Sequence, residues 1–152
     1  MIIRKRIALA TAALTLGSGL ALLPATGASA AAYDGQSPVT SGCVNSAITA
    51  SSKNIYVGSK LEGKIELRYS TSCRTAWGRV IAYYLGGEGE ANVYRNSDGK
   101  YYLCENTTWS EALNGFTCYT AMVNDAGVTS YAWGQVADFD TGDVGYATTG
   151  SY

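Results

Sequence analysis

The sequence predicts an all-β fold: a small single-domain β-sandwich or barrel of about seven or eight short antiparallel strands, stabilised by disulfides. Three observations predict it. Lys64 to Tyr69 alternates strictly, with Ile65, Leu67 and Tyr69 on one face and Lys64, Glu66 and Arg68 on the other, the pattern of a half-buried strand. Short β-like runs recur at near-regular spacing between Gly, Asp and Asn turns, and no stretch carries a convincing long helical period. Cys43, Cys73, Cys104 and Cys118 form an even set, as in exported domains that pair their thiols.

The chain opens with Arg4, Lys5 and Arg6, an apolar run from Ile7 to Leu23 interrupted by Gly17 and Gly19, and the small residues Ala28-Ser29-Ala30. That order predicts a secretory signal peptide over residues 1–30, cleaved near Ala30–Ala32, with one domain over residues 31–152. The run is too short and glycine-rich, and lacks the basic flank, for a retained anchor. The expected product is secreted, free or associated with the cell wall, with no membrane attachment after cleavage.

The signal holds three of the 11 Lys and Arg and none of the 12 Asp and Glu, so eight bases against twelve acids leave the mature chain at −4. An acidic domain is a poor ligand for phosphate backbones, and no nucleic-acid partner is expected.

Taken in order, Tyr33 to Gly42 is rich in turn residues and reads as an ordered arm pinned at Cys43. Val44 to Ser52 fits a short helix or a strand. Asn54 to Val57 is a short β-branched run closed by Gly58, and Lys64 to Tyr69 is the alternating strand. Thr75 to Leu85 has a small face of Ala76, Gly78, Val80 and Ala82 and a large face of Trp77, Arg79, Ile81 and Tyr83. Either can point inward, but small residues suit a close second sheet, which would leave Trp77 and Arg79 outside. Gly86 to Glu90 reads as a loop. Ser97-Asp98-Gly99 predicts a hairpin between Val93–Asn96 and Lys100–Cys104. A second hairpin is predicted from Phe116–Val123 through Asn124–Gly127 to Val128–Trp133, with final strands at Val136–Phe139 and Val144–Thr148.

Four cysteines allow three connectivities. Neighbour pairing, Cys43–Cys73 and Cys104–Cys118, closes the shortest uncrossed loops, and the second would contribute roughly 3 kcal/mol. The absence of histidine excludes Ser-His-Asp and Cys-His catalysis and most zinc sites. No catalytic residue, cofactor or metal is assigned. Asp138, Asp140 and Asp143 fall out of register for a calcium loop and read as a turn. Glu88 and Glu90 are the carboxylates a glycan hydrolase would use, but they sit in a glycine-rich segment. The remaining signal is aromatic: 12 Tyr, with Trp77, Trp109 and Trp133, more than a core of this size needs. Arg68, Arg74, Trp77 and Arg79 cluster in one stretch and are the candidate binding residues.

That stretch, Ile65-Glu-Leu-Arg-Tyr-Ser-Thr-Ser-Cys-Arg-Thr-Ala-Trp-Gly-Arg-Val80, resembles the DUF2690 family of exported bacterial proteins. Tyr33-Asp-Gly-Gln-Ser-Pro38, Ser41-Gly42-Cys43, Tyr119-Thr-Ala-Met-Val123 and Ala147-Thr-Thr-Gly150 extend the resemblance across nearly all of the mature chain. The family has no established activity, so the resemblance implies no catalytic residue. It implies a sensing or docking module, with Arg68, Arg74, Trp77 and Arg79 as the positions that would serve a partner. The expectation is a secreted, non-catalytic binding module that docks an extracellular protein or assembly, or a cell-envelope polymer. The alternatives are a carboxylate-dependent cell-wall or glycan hydrolase, and an inhibitor that protects against secreted hydrolases.

Overall fold

A computed structural model describes residues 33–83 and 87–152. The expected signal peptide and the first residue of the Gly86–Glu90 segment lie outside the described residues. Ten strands follow in order: β1 (Ala47–Val57), β2 (Lys60–Ser70), β3 (Thr75–Ala82), β4 (Gly89–Arg95), β5 (Tyr101–Cys104), β6 (Thr108–Ser110), β7 (Gly115–Tyr119), β8 (Val123–Asn124), β9 (Ser130–Ala137) and β10 (Val144–Thr148). The only helical turns among the described residues are two 3₁₀ segments, Cys43–Ser46 and Glu111–Leu113.

The strands form two antiparallel sheets, ordered β1-β2-β3-β7-β6 with β8 added to β3, and β10-β9-β4-β5. The architecture is an all-β sandwich, which settles the choice between sandwich and barrel. Ile65, Leu67, Ala76, Val80 and Ala82 of the first sheet meet Ala91, Val93, Ala132 and Val136 of the second, all fully buried. Removing each Val, Ile or Leu of this layer from water contributes roughly 1.5–3 kcal/mol.

The small face of β3 points inward, as its composition suggests. A Cβ on Gly78 would lie 3.0 Å from the Asn92 carbonyl oxygen of β4, so the close approach of the sheets uses the missing side chain. At the far edge a Cβ on Gly145 would collide with the Tyr56 carbonyl oxygen, so the missing side chain lets β10 lie close against β1.

Both expected disulfides are present. Cys43–Cys73 fixes the end of the N-terminal arm to the β2–β3 turn, and Cys104–Cys118 joins β5 of one sheet to β7 of the other. Paired thiols fit an oxidising compartment. Among the described residues no helix is long and apolar enough to cross a membrane.

The arm is ordered, as expected of its turn chemistry. Gly35 N donates to Met122 O and Met122 N to Gln36 O, at 2.9 and 3.0 Å. Asp34 accepts from Arg95 and Lys100 and from the Asn124 backbone.

Three expectations are corrected. Val44 to Ser52 is neither wholly helix nor wholly strand: a 3₁₀ turn ends at Ser46, and β1 then runs unbroken to Val57. Gly89 and Glu90 belong to β4 and not to a loop. Phe116 to Trp133 is no hairpin, because β7 and β8 pair with β3 in the first sheet and β9 pairs with β4 in the second. The Asn124–Gly127 turn crosses between sheets there, and it is held by Asp125, whose backbone N donates to Arg74 O and whose carboxylate accepts from Ser130 Oγ at 2.7 Å.

Candidate functional site

Three of the four candidate residues come together on the outer face of the first sheet. Arg68 on β2 lies opposite Trp77 on β3, Glu66 lies opposite Arg79, and Arg79 lies opposite Tyr119 on β7. Alternation sends these side chains away from the sandwich core, and the N-terminal arm then folds over them. The result is a groove of about 210 Å³ whose walls are Val39 and Val44 from the arm, Leu113 and Tyr119, with Arg68 and Arg79 along it.

Trp77 is on the outer face of its sheet, yet it is only 3% exposed. Cys43 and Met122, with partly buried Tyr33, Ala47 and Cys73, pack around it as a second small core. The indole therefore anchors the arm, and only its rim reaches the groove. The sequence gives no periodic signal for this, because the covering residues come from a turn-rich segment far away in the chain.

Glu66 organises the charges. Although 3% exposed, it accepts from Arg79 at 2.9 and 2.5 Å, pairs with Lys64 at 2.7 Å, and lies 4.0 Å from Arg68. Burial pushes its carboxyl up, but hydrogen bonds from Lys64 and Arg79 and the Arg79 charge outweigh this and hold it below the usual carboxylate range. Arg68 Nη1 also donates to Thr49 Oγ1, which fixes the guanidinium over the sheet. Three cations share one carboxylate, so the strip keeps a positive surplus beside exposed apolar side chains.

Arg74 is not part of this groove. It sits exposed in the β2–β3 turn with φ at 54°, and its backbone N donates to Ser70 O at 2.8 Å. Its position is a consequence of turn geometry.

Of the carboxylates considered for hydrolysis, Glu90 is on β4 of the second sheet and Glu88 immediately precedes that strand. Glu88 and Glu90 line a shallow cleft of about 530 Å³, and Glu105, which no sequence motif marks, lines it too. Each carboxylate oxygen of Glu90 accepts one amide hydrogen bond: Oε1 from Asn92 Nδ2 at 2.5 Å and Oε2 from Gln135 Nε2 at 3.2 Å. Both amides are outward residues of neighbouring strands, visible as an alternation only once β4 and β9 are paired.

Asp138 caps its own turn by accepting from the backbone N of Asp140 and Thr141 and pairs with Lys60. Among the described residues no group of three or more Cys, Asp or Glu is placed to hold a metal ion.

Comparison with known proteins adds identity without activity. The family model described as "Protein of unknown function (DUF2690)" matches residues 31–133. The uncharacterized protein YjfA of Bacillus subtilis (strain 168) is 38% identical over 128 residues, 80% of each chain. No solved structure matches.

Proposed function

The chain belongs to the DUF2690 family, and we propose that it is a secreted, non-catalytic binding module that docks another extracellular protein through the outer groove of its first sheet. One observation carries this reading: Arg68 and Arg79, with Lys64 beside them, stand next to exposed Val39, Val44 and Tyr119 in a single groove. An apolar wall flanked by surplus positive charge suits a protein segment that presents a hydrophobic side chain next to an acidic one. Small neutral ligands would gain nothing from the charge, and a polyanion would meet a domain of net −4 from eight bases and twelve acids.

The hydrolase reading has less support. A general acid needs a carboxyl free to deliver its proton, whereas both oxygens of Glu90 are occupied by amides that hold it as an acceptor.

The test is capture of partners from the producer's culture supernatant by the tagged domain, compared with Val44→Glu and Arg68→Ala. Both positions lie on the groove and outside the main core, so both variants should melt near the parent temperature. A partner retained by the parent and lost by both variants supports the reading. Retention by both variants would place the docking surface elsewhere.

A further inference from the structure

We propose that the outer face of the second sheet is a binding site for an extended, neutral polysaccharide chain. The site is separate from the groove and does not depend on it.

Outward residues of four adjacent strands build this face. Tyr94 on β4 stacks between Tyr101 on β5 and Tyr131 on β9, with ring centroids 5.6 and 5.1 Å apart. The stack locks these rings, and Tyr94 and Tyr131 form one wall of an open cleft of about 800 Å³. Trp133 and Thr148 also line it, and Asn92, opposite Trp133 and only 4% exposed, lies at its base. Glu90 lines this cleft and also the 530 Å³ cleft bounded by Gln135 and Glu105, so the two clefts adjoin at Glu90, and the proposed trough runs through both. Tyr146, opposite Gln135 on β10, stands beside it at 72% exposure.

Three features select the ligand class. The trough is long, shallow and open, the shape for a chain that passes through, where a small molecule needs enclosure. Its polar groups are planar carboxylate and amide side chains braced against each other, Glu90 between Asn92 and Gln135. Such a set offers paired donors and acceptors to vicinal hydroxyls, while Trp133 and Tyr146 offer flat apolar surface to sugar rings. Among the described residues no lysine or arginine lines either cleft, and Glu88, Glu90 and Glu105 are acidic. An anionic polymer is therefore repelled, and a neutral one is not. An open face with aromatic rings exposed along it suits an extended chain over a coiled one, which points to β-linked hexose or N-acetylhexosamine polymers.

Binding is measured by calorimetry with cellohexaose and chitohexaose and by cosedimentation with insoluble chitin, with heparin as the polyanion control. At least one neutral glycan should bind, and heparin should not. Trp133→Ala and Gln135→Ala should each weaken binding by about tenfold or more, while Val44→Glu on the opposite face leaves it unchanged. Should Trp133→Ala fail to fold, exposed Tyr146→Ala takes its place. Binding to none of the three glycans, binding unaffected by the variants, or preference for heparin would each overturn the proposal. New reducing ends during incubation would also overturn it, by making the trough catalytic.

Discussion

Glu66 shows how a single charged residue can be buried on the outside of a sheet. The alternation of Lys64 to Tyr69 directs it away from the core, yet it becomes covered because Lys64, Arg68 and Arg79 close over it. Its carboxyl titrates below the unfolded value of about 4.3, so its contribution to stability is complete above that value. The contribution is lost as pH falls through the lower folded value. Asp34 and Asp138 act in the same sense, as does exposed Asp98, drawn down to about 2 by the Arg95 hydrogen bond. Melting temperature should therefore fall steeply below about pH 4. Glu66→Gln should cost about 1–2 kcal/mol at pH 7 by leaving half-buried arginine donors underpaired, and its gap to the parent should narrow at pH 3. Arg74 makes the opposite case. A left-handed residue other than glycine costs roughly 1–2 kcal/mol, and glycine loses roughly 0.5–1 kcal/mol of that in chain entropy. Arg74→Gly should then raise the melting temperature by a few degrees, a result that also separates the turn from the docking groove if partner capture is unchanged.

Elements were legible to the extent that their pattern was local. The β2 alternation, the Asp98-Gly99 turn with Gly99 at φ 70°, and the small inner face of β3 all follow from neighbours in sequence. The long first strand was not, because β1 is a sheet edge whose Ser51, Ser52 and Lys53 are polar, and its register shifts twice. The two shortest strands, β6 and β8, have three and two residues and are made by their partners, which is why the count exceeds the expected seven or eight. The arm was legible as turns but not as a lid over Trp77. Trp77→Ala should cost about 3–5 kcal/mol, seen in chemical denaturation, and should expose the arm to proteolysis near Gly42 while the sheets persist. Replacing both Cys104 and Cys118 by Ala should cost about 3 kcal/mol by releasing the loop that staples β5 to β7. That loss should appear as a lower denaturation midpoint with one transition, because the bridge joins the two sheets across a common core.

The whole molecule places its two candidate surfaces back to back. The inner faces of both sheets are spent on the core, so a ligand can meet only outward residues, with opposite chemistry on the two sides: cationic and apolar on the first sheet, aromatic and acidic on the second. The sequence showed an excess of aromatics and a cluster of arginines but could not separate them in space, since which outward faces share a sheet depends on long-range pairing between β4 and β9. Opposite faces of a rigid sandwich can be occupied together without collision, and substitutions so far apart with no shared partners should act independently. If the module links a protein to a glycan, that protein should sediment with the polysaccharide only when this domain is present. Val44→Glu should leave the domain on the glycan and release the partner; Gln135→Ala should leave the domain on the partner and release both from the glycan. Loss of both interactions in either single variant, with folding intact, would mean that the two ligands share one surface and that the back-to-back arrangement does not describe how this protein is used.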